Sequence, residues 1–401
     1  MRVLLSTIGS RGDVQPLVAL ALELRDLGCD VRLCVPPDFR EWIEGLGFTV
    51  TPIGPELRST AKPNVRTTIT PEQRRQMIEG TIAAQFETIK AAARDCDAIV
   101  GATALQIAAP SIAEMLGIPY VFAAYCPVVL PSPHHAPPVL AALGDSSAPV
   151  LADYSALWDA DAKRWDDVWQ PLLNAQRASL GLSPVDGVRD HVLTSRPWLA
   201  ADATIAPWTD SVRAAVFQTG AWIVDDDRPL SPELESFLDA GDPPIYIGFG
   251  SVRAPGQLAG VSIESARALG KRIVLSRGWA ELSLIDDRAD CIAIGEVNQQ
   301  KLFARAAAVV HHGGAGTTTN AARAGAPQLV MPQHYDQHYF ARRVEELETG
   351  VAYTLRDLRP DDVIAKLRRV VDPAVKARAE SVAMSVRADG AMVAAKAVRS
   401  L

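Results

Sequence analysis

The 401-residue chain is short of several things, and each shortage excludes a class of protein. It has five cysteines, Cys29, Cys34, Cys96, Cys126 and Cys291, with no C-x-x-C spacing among them. An odd, dispersed set forms neither a disulfide framework nor a zinc site, and it reads as the reduced, buried thiols of a cytoplasmic protein. Aromatic residues are 6% of the chain and no basic run is interleaved with them, so the footprint of a nucleic-acid binder is missing. Charge is close to balanced, 40 Lys+Arg against 47 Asp+Glu, and is spread along the chain. Long apolar runs are missing as well. The opening MRVLLSTIGSRGD has a short apolar stretch that soon meets Gly9-Ser10-Arg11-Gly12-Asp13, too short for a signal peptide or a membrane span. The expectation is a soluble cytoplasmic protein with neither a nucleic-acid nor a membrane partner.

Apolar residues make up 48%, enough for a sizeable core, and the length suggests two domains. Val3 to Ile8 is the continuous apolar run of a strand covered on both faces. A turn follows at Gly9–Asp13. Pro16 is then read as opening a helix that Gly28 ends, with a second strand at Asp30 to Val35. This is a βαβ unit of a parallel sheet. Ala98 to Val100, Ser111 to Leu116 and Pro119 to Ala124 repeat the theme as strand, helix and strand. The stretch CPVVLPSPHHAPP, Cys126 to Pro138, carries five prolines and reads either as a stiff connector or as a loop over a cleft. Pro133, His134 and His135 are its candidates for contact with a ligand. From Ala152 to Leu180 a helical stretch puts Trp158, Trp165 and Trp169 on one face, a stripe that reads as core, while Asp159 and Asp161 read as a solvated face.

The pattern restarts after Ala221. Ser231 and Pro232 open a capped helix, and strands are predicted at Pro244–Phe249, Lys271–Leu275, Cys291–Ile294, Ala308–His311 and Gln328–Met331. Helices are predicted at Gln299–Arg305, Thr317–Ala324, Phe340–Leu347 and within Val375–Leu401.

Four turns could carry chemistry. VVHHGGAGTTTN, Val309 to Asn320, runs a strand through His312 and the glycines Gly314 and Gly316 into Thr317 at a helix start. Backbone N–H groups and the helix dipole there favour an anion such as a phosphate. The structural alternative is a tight turn with Thr317 as its cap. No Lys follows the glycines, so this is not a Walker loop. Gly250 and Ser251 form a similar turn, but Arg253 occupies the third position of G-x-G-x-x-G and spoils a dehydrogenase fingerprint. Asp13, after the first strand, could be a general base or a helix cap. Asp336 and Gln337 in PQHYDQ suit a polyhydroxylated ligand or, again, a cap. His311, His312, His334 and His338 crowd one region, but without H-E-x-x-H a metal is not expected.

These strings, together with LTSRPWLAADATIAP, IYIGFGS, IVLSRGW and IGEVNQQKLF in that order, resemble the GT-B nucleotide-sugar glycosyltransferases, specifically the actinobacterial enzymes of vancomycin-type glycopeptide antibiotics. The resemblance implies an α/β protein of two Rossmann-like domains with parallel sheets facing a cleft. An acceptor domain spans 1–205, a linker 206–222, a donor domain 223–380, and a last helix 381–401 returns to the first domain. It implies an inverting, metal-independent transferase with no resident cofactor, a TDP- or UDP-sugar as co-substrate and an aglycone hydroxyl as acceptor, acting as a monomer. Asp13 matches the general base. Ser10, Arg11 and Gly12 match the loop at the donor's phosphate end, and Gly250 and Ser251 match the second diphosphate-facing turn. Val297 matches the residue whose backbone meets the nucleobase, with Arg277 and Trp279 near the base pocket. His312, Gly314, Gly316 and Thr317 match the diphosphate cradle, and Asp336 and Gln337 the pair at the sugar. The rivals are a nucleotide-sugar epimerase, a non-catalytic nucleotide-sugar-binding protein and, more remotely, a dehydrogenase. The least familiar segments, Pro127–Leu130 and Ala142–Leu157, bear on the acceptor.

Overall fold

A computed structural model describes residues 1–58, 70–103, 105–138, 153–209, 215–252, 257–355 and 358–401. Arg253 and residues 142–152, named above, lie outside the described residues.

The first half runs β1 (Arg2–Thr7), α1 (Arg11–Asp26), β2 (Asp30–Val35), α2 (Arg40–Gly45), β3 (Thr49–Pro52), α3 (Pro71–Ala92), β4 (Ala98–Ala102), α4 (Ala109–Leu116), β5 (Tyr120–Ala124), α5 (Tyr154–Ser179), α6 (Val188–Leu193), β6 (Trp198–Leu199) and β7 (Phe217–Gln218). The second half runs α7 (Pro232–Asp239), β8 (Ile245–Gly248), α8 (Leu258–Ala268), β9 (Ile273–Ser276), β10 (Cys291–Ile294), α9 (Gln299–Phe303), β11 (Ala308–His311), α10 (Ala315–Arg323), β12 (Gln328–Val330), α11 (Asp336–Glu346), β13 (Gly350–Ala352), α12 (Pro360–Val370), α13 (Pro373–Ala383) and α14 (Gly390–Val398).

Two sheets result. One has seven strands in the order β3-β2-β1-β4-β5-β6-β7, the other six in the order β10-β9-β8-β11-β12-β13. The strand pairs are parallel. Central strands such as Val3, Leu4 and Leu5 of β1 or Val309 and Val310 of β11 are buried throughout, as a sheet with helices on both faces requires. In each sheet the strand order reverses once, between β1 and β4 and between β8 and β11. Open α/β sheets bind ligands in the crevice outside the carboxyl ends of the strands at that reversal. The loops after β1, β8 and β11 are three of the four turns singled out by sequence; the fourth follows β12.

Several expectations need correction. The first helix begins at Arg11, not near Pro16, which lies inside it. Ser10 at the N-cap and the Asp13 carboxylate start the helix a turn and a half earlier, and the C=O that Pro16 cannot bond belongs to exposed Gly12. Thr317 is not the cap of α10; Gly314 is, and it brings no side chain. Asp336 is the first residue of α11, whose start precedes Phe340 because Tyr335 turns the chain at φ 44°. The stretch read as a linker includes β7, an edge strand of the first sheet. Trp158, Trp165 and Trp169 are core, but Asp161 is not solvated. It shares their face of α5, is buried, and pairs with Arg164 and with Arg189 at 3.6 Å.

The halves meet extensively. α14 packs on α1 through Ala391, Ala394, Ala395 and Val398, so the last helix belongs to the core of the first half. Gly390 is needed at its start, where a Cβ would stand 2.4 Å from the Ala221 oxygen. Ala322, Tyr339 and Phe340 of the second half join the other face of the first-half core. Arg343 donates to the Ile205 carbonyl at 2.9 Å. Among the described residues no helix is long and apolar enough to cross a membrane.

Candidate active site

The crevice between the halves is built from two helix starts. At the first, Asp13 occupies the third position of α1. Its Oδ2 accepts the Ser10 N–H at 2.6 Å and the Ser10 hydroxyl at 3.2 Å. Both hydrogen bonds fall on one oxygen, so Oδ1 is the oxygen available to a ligand. Gly9 makes this approach possible, since a Cβ there would stand 2.2 Å from Oδ2. Tyr125, at the end of β5, donates its hydroxyl to the Asp13 carbonyl at 3.0 Å and fixes the main chain. Loss of solvent pushes the Asp13 carboxyl up to about 6, against the Ser10 hydrogen bonds that favour its charge.

At the second, His311 ends β11 and the chain turns through His312 and Gly313 into α10. Gly313 sits at φ +93°, where a Cβ would also strike Val330 at 2.7 Å. The His312 imidazole is wedged between two glycine positions: a Cβ on Gly314 would lie 2.6 Å from its Nε2, and one on Gly250 3.4 Å from its Cε1. Burial pulls His312 down to about 4, so the ring is neutral, and among the described residues its Nδ1 has no hydrogen-bond partner. α10 has no side-chain cap. Thr318 and Thr319 turn their hydroxyls back onto the Gly314 and Ala315 carbonyls at 2.9 and 2.8 Å. The hydroxyl of Thr317 has no such bond. This helix end keeps unsatisfied N–H groups and a positive dipole end, a ready anion site.

Asp336 opens α11 on the second half. Burial, and then the charge of Asp13 across the crevice, push its carboxyl up to about 7. The two carboxyls therefore sense one another from opposite sheets. Gln337 does not offer its whole amide outward. Its Oε1 accepts the N–H groups of Gln333 and His334 at 2.8 and 3.1 Å and fastens the loop before α11.

The remaining predicted residues are more dispersed. Gly250 lies at φ +58°, and its carbonyl accepts the Trp279 N–H at 2.8 Å, which ties the Ser251 turn to the SRGW loop. Arg277 is exposed beside the end of β10, its N–H on the Ile294 carbonyl at 3.0 Å. Among the described residues neither the N–H nor the C=O of Val297 is hydrogen-bonded. Trp279 stacks on Phe39 of the first half at 6.0 Å between centroids. Arg11 does not reach into the crevice unpaired: it bonds Glu296 of the second half and lies over the Trp42 ring at 4.8 Å. Gly12 is exposed at the mouth. In the proline-rich loop, Pro133 and His134 are exposed, but His135 packs edge-on against Trp158 at 5.8 Å, and its carbonyl holds the Trp158 indole N–H at 2.8 Å. His135 is thus an anchor of the loop. Sequence reasoning missed Tyr125, Phe39 and Glu296, since each matters through a contact with a distant segment.

Comparison with known proteins agrees with this geometry. Residues 3–132 match the glycosyltransferase family 28 N-terminal domain, and residues 263–396 match the erythromycin biosynthesis protein CIII-like C-terminal domain. The chain is 50% identical over 397 residues to glycosyltransferase GtfE of Amycolatopsis orientalis, covering 98% of this chain and 96% of that one. It is also 50% identical over 401 residues to the vancomycin aglycone glucosyltransferase of the same organism, covering 99% and 96%. Among solved structures, spinosyn forosaminyltransferase SpnP has a TM-score of 0.72 at 17% identity, over 100% of this chain and 98% of that one. Glycosyltransferase VinC in complex with dTDP has a TM-score of 0.66 at 22% identity, over 100% and 99%. Two facing parallel α/β units of this kind are the GT-B fold, and the half-identical relatives make this chain a glycosyltransferase of that fold. The chain belongs to the vancomycin-type glycosyltransferase family.

Proposed function

We propose that the chain is an inverting, metal-independent glycosyltransferase that moves a sugar from a thymidine or uridine diphosphate sugar to a hydroxyl of a glycopeptide-type aglycone. The observation that carries this reading is the opposition of a carboxylate at one helix start and an uncapped helix start at the other. A hydroxyl oxygen of the acceptor attacks the anomeric carbon from the face away from the diphosphate. The new C–O bond forms as the bond to the diphosphate oxygen breaks, and that electron pair leaves with the diphosphate. Asp13 Oδ1 takes the hydroxyl proton. A carboxyl raised to about 6 is a stronger base than an ordinary aspartate and is still ionised near neutrality. Charge gathering on the diphosphate meets the α10 amides, the Thr317 hydroxyl and His312, which stabilise it without a metal.

Gly250 and Ser251 support the same diphosphate from β8. Val297 offers the nucleobase an unpaired main-chain edge, with Arg277 and Trp279 beside it. Asp336 and Gln337 face the sugar. Ser10, Arg11 and Gly12 close the phosphate end, which requires Arg11 to release Glu296. Pro133 and His134 are the parts of the proline-rich loop open to an acceptor. We take the enzyme to be a cytoplasmic monomer. The glycopeptide acceptor is supported by the 50% identity to the vancomycin aglycone glucosyltransferase.

The test is incubation with thymidine and uridine diphosphate sugars and a panel of aglycones, read by mass and by the anomeric configuration of the product. A sugar-mass gain with inverted configuration is expected. Retained configuration rules out a single displacement, sugar interconversion without acceptor indicates an epimerase, and binding without turnover indicates a carrier.

A further inference from the structure

His311 is the residue before the diphosphate turn. It is fully buried, and so is Gln328 on the neighbouring strand β12. Its Nδ1 accepts the Gly313 N–H at 3.1 Å, and its Nε2 lies 2.9 Å from Gln328 Oε1. A backbone N–H can only donate, so Nδ1 must carry a lone pair. A neutral ring then has its proton on Nε2, and that proton points at an amide oxygen, which can only accept. The network is satisfied in one tautomer and in no other.

We propose that His311 is a positioning residue whose Nε2–H tautomer, set by Gln328, clamps Gly313 and thereby aims His312 and the α10 amides at the donor diphosphate. The clamp acts at the tightest point of the turn. Gly313 is in the left-handed region, and its neighbours Val330 and Gln337 leave no room for the peptide to move toward them. Turning the Gly313 N–H inward fixes the following peptides and leaves those of α10 free at the crevice. In the other tautomer two N–H groups would oppose one another, and the turn would have to rotate. The donor role of this turn rests on the reading under Proposed function; the clamp itself does not.

Two kinds of measurement separate them. Nitrogen-15 NMR of the ligand-free protein is expected to show one buried histidine with Nε2 protonated and Nδ1 bare, and that resonance disappears in His311→Asn. A protonated Nδ1 would overturn the clamp whatever the enzyme binds. For function, thymidine and uridine diphosphate are titrated into wild type, His311→Phe, His311→Asn and Gln328→Leu. Asparagine can offer Oδ1 where the ring offered Nδ1, and phenylalanine keeps the ring shape but offers nothing. His311→Phe and Gln328→Leu are expected to weaken diphosphate binding about tenfold, with His311→Asn within a few-fold of wild type and acceptor KM unchanged in all. Equal losses in His311→Phe and His311→Asn, or normal affinity in a destabilised His311→Phe, would overturn the positioning role. If wild type binds neither diphosphate, the donor assignment of this turn is wrong, and the NMR result still decides the clamp.

Discussion

The starts of α1 and α10 each follow one of the two strands at which a sheet reverses order, α1 the earlier strand of its pair and α10 the later, and they end in opposite states. α1 is closed by its own acid: Asp13 takes the Ser10 N–H and supplies the negative charge that the helix end favours. α10 is left open, with a glycine cap, bonded hydroxyls on Thr318 and Thr319, and a neutral His312 whose Nδ1 is unpartnered. One architecture thus yields a site that holds a base and a site that calls for an external anion.

The largest effect should come from removing the internal acid's basicity while keeping its shape. Asp13→Asn can still accept the Ser10 N–H, so folding and diphosphate affinity are expected to hold, while kcat falls by about 10²–10⁴-fold. A full-rate Asp13→Asn enzyme would break the contrast at its first half. Next is the pH response. The base form of Asp13 is lost as pH falls through about 6, so kcat/KM should decline about tenfold per unit below that point and level off above it. Stability should run the other way. A carboxyl raised in the folded state binds its proton more tightly there than when unfolded, so its contribution is largest in acid and is lost as pH rises through about 6. Melting temperatures measured at about pH 5 and about pH 8 should show wild type losing more than Asp13→Asn over that interval. The smallest effect sharpens the second half. Thr317→Val should weaken diphosphate binding by up to about tenfold, and Thr318→Val should leave it unchanged, because only the second hydroxyl is already bonded within the helix. Equal losses, read by titration calorimetry, would mean that side-chain donors at this turn are not selective.

Much of this was legible in the residues. The apolar runs gave β1 and β11 nearly to the residue, because strands covered on both faces need no alternation to be recognised, and β2 and β10 were placed as well. Ser231 and Pro232 marked α7 correctly, with the Ser231 hydroxyl on the Leu234 N–H at 3.2 Å. The two-residue strands β6 and β7 were not legible, since β6 exists only because β5 offers it an edge and β7 only because β6 does. Helix starts were misread at Pro16, Thr317 and Phe340, because local turns begin these helices sooner: the Ser10 cap with Asp13, the Gly314 N-cap and Tyr335 at positive φ. Asp161 was misread because its charge was weighed above its place on the tryptophan face. The site turns were recognisable as strings, but their pairing across the crevice, Asp13 with Asp336 and Arg11 with Glu296, depends on contacts between distant parts of the chain.

If the open end of α10 receives the diphosphate, closing it from within must harm binding while it helps the helix. Gly316→Asp does this: the position is exposed, a Cβ there meets nothing, and an acid in the first turn favours helix and stability. Measured together, the melting temperature of Gly316→Asp is expected to rise and its affinity for thymidine or uridine diphosphate to fall by about tenfold or more. A variant that is stabilised and binds the diphosphate as tightly as wild type would contradict the assignment of that helix end as the anion site.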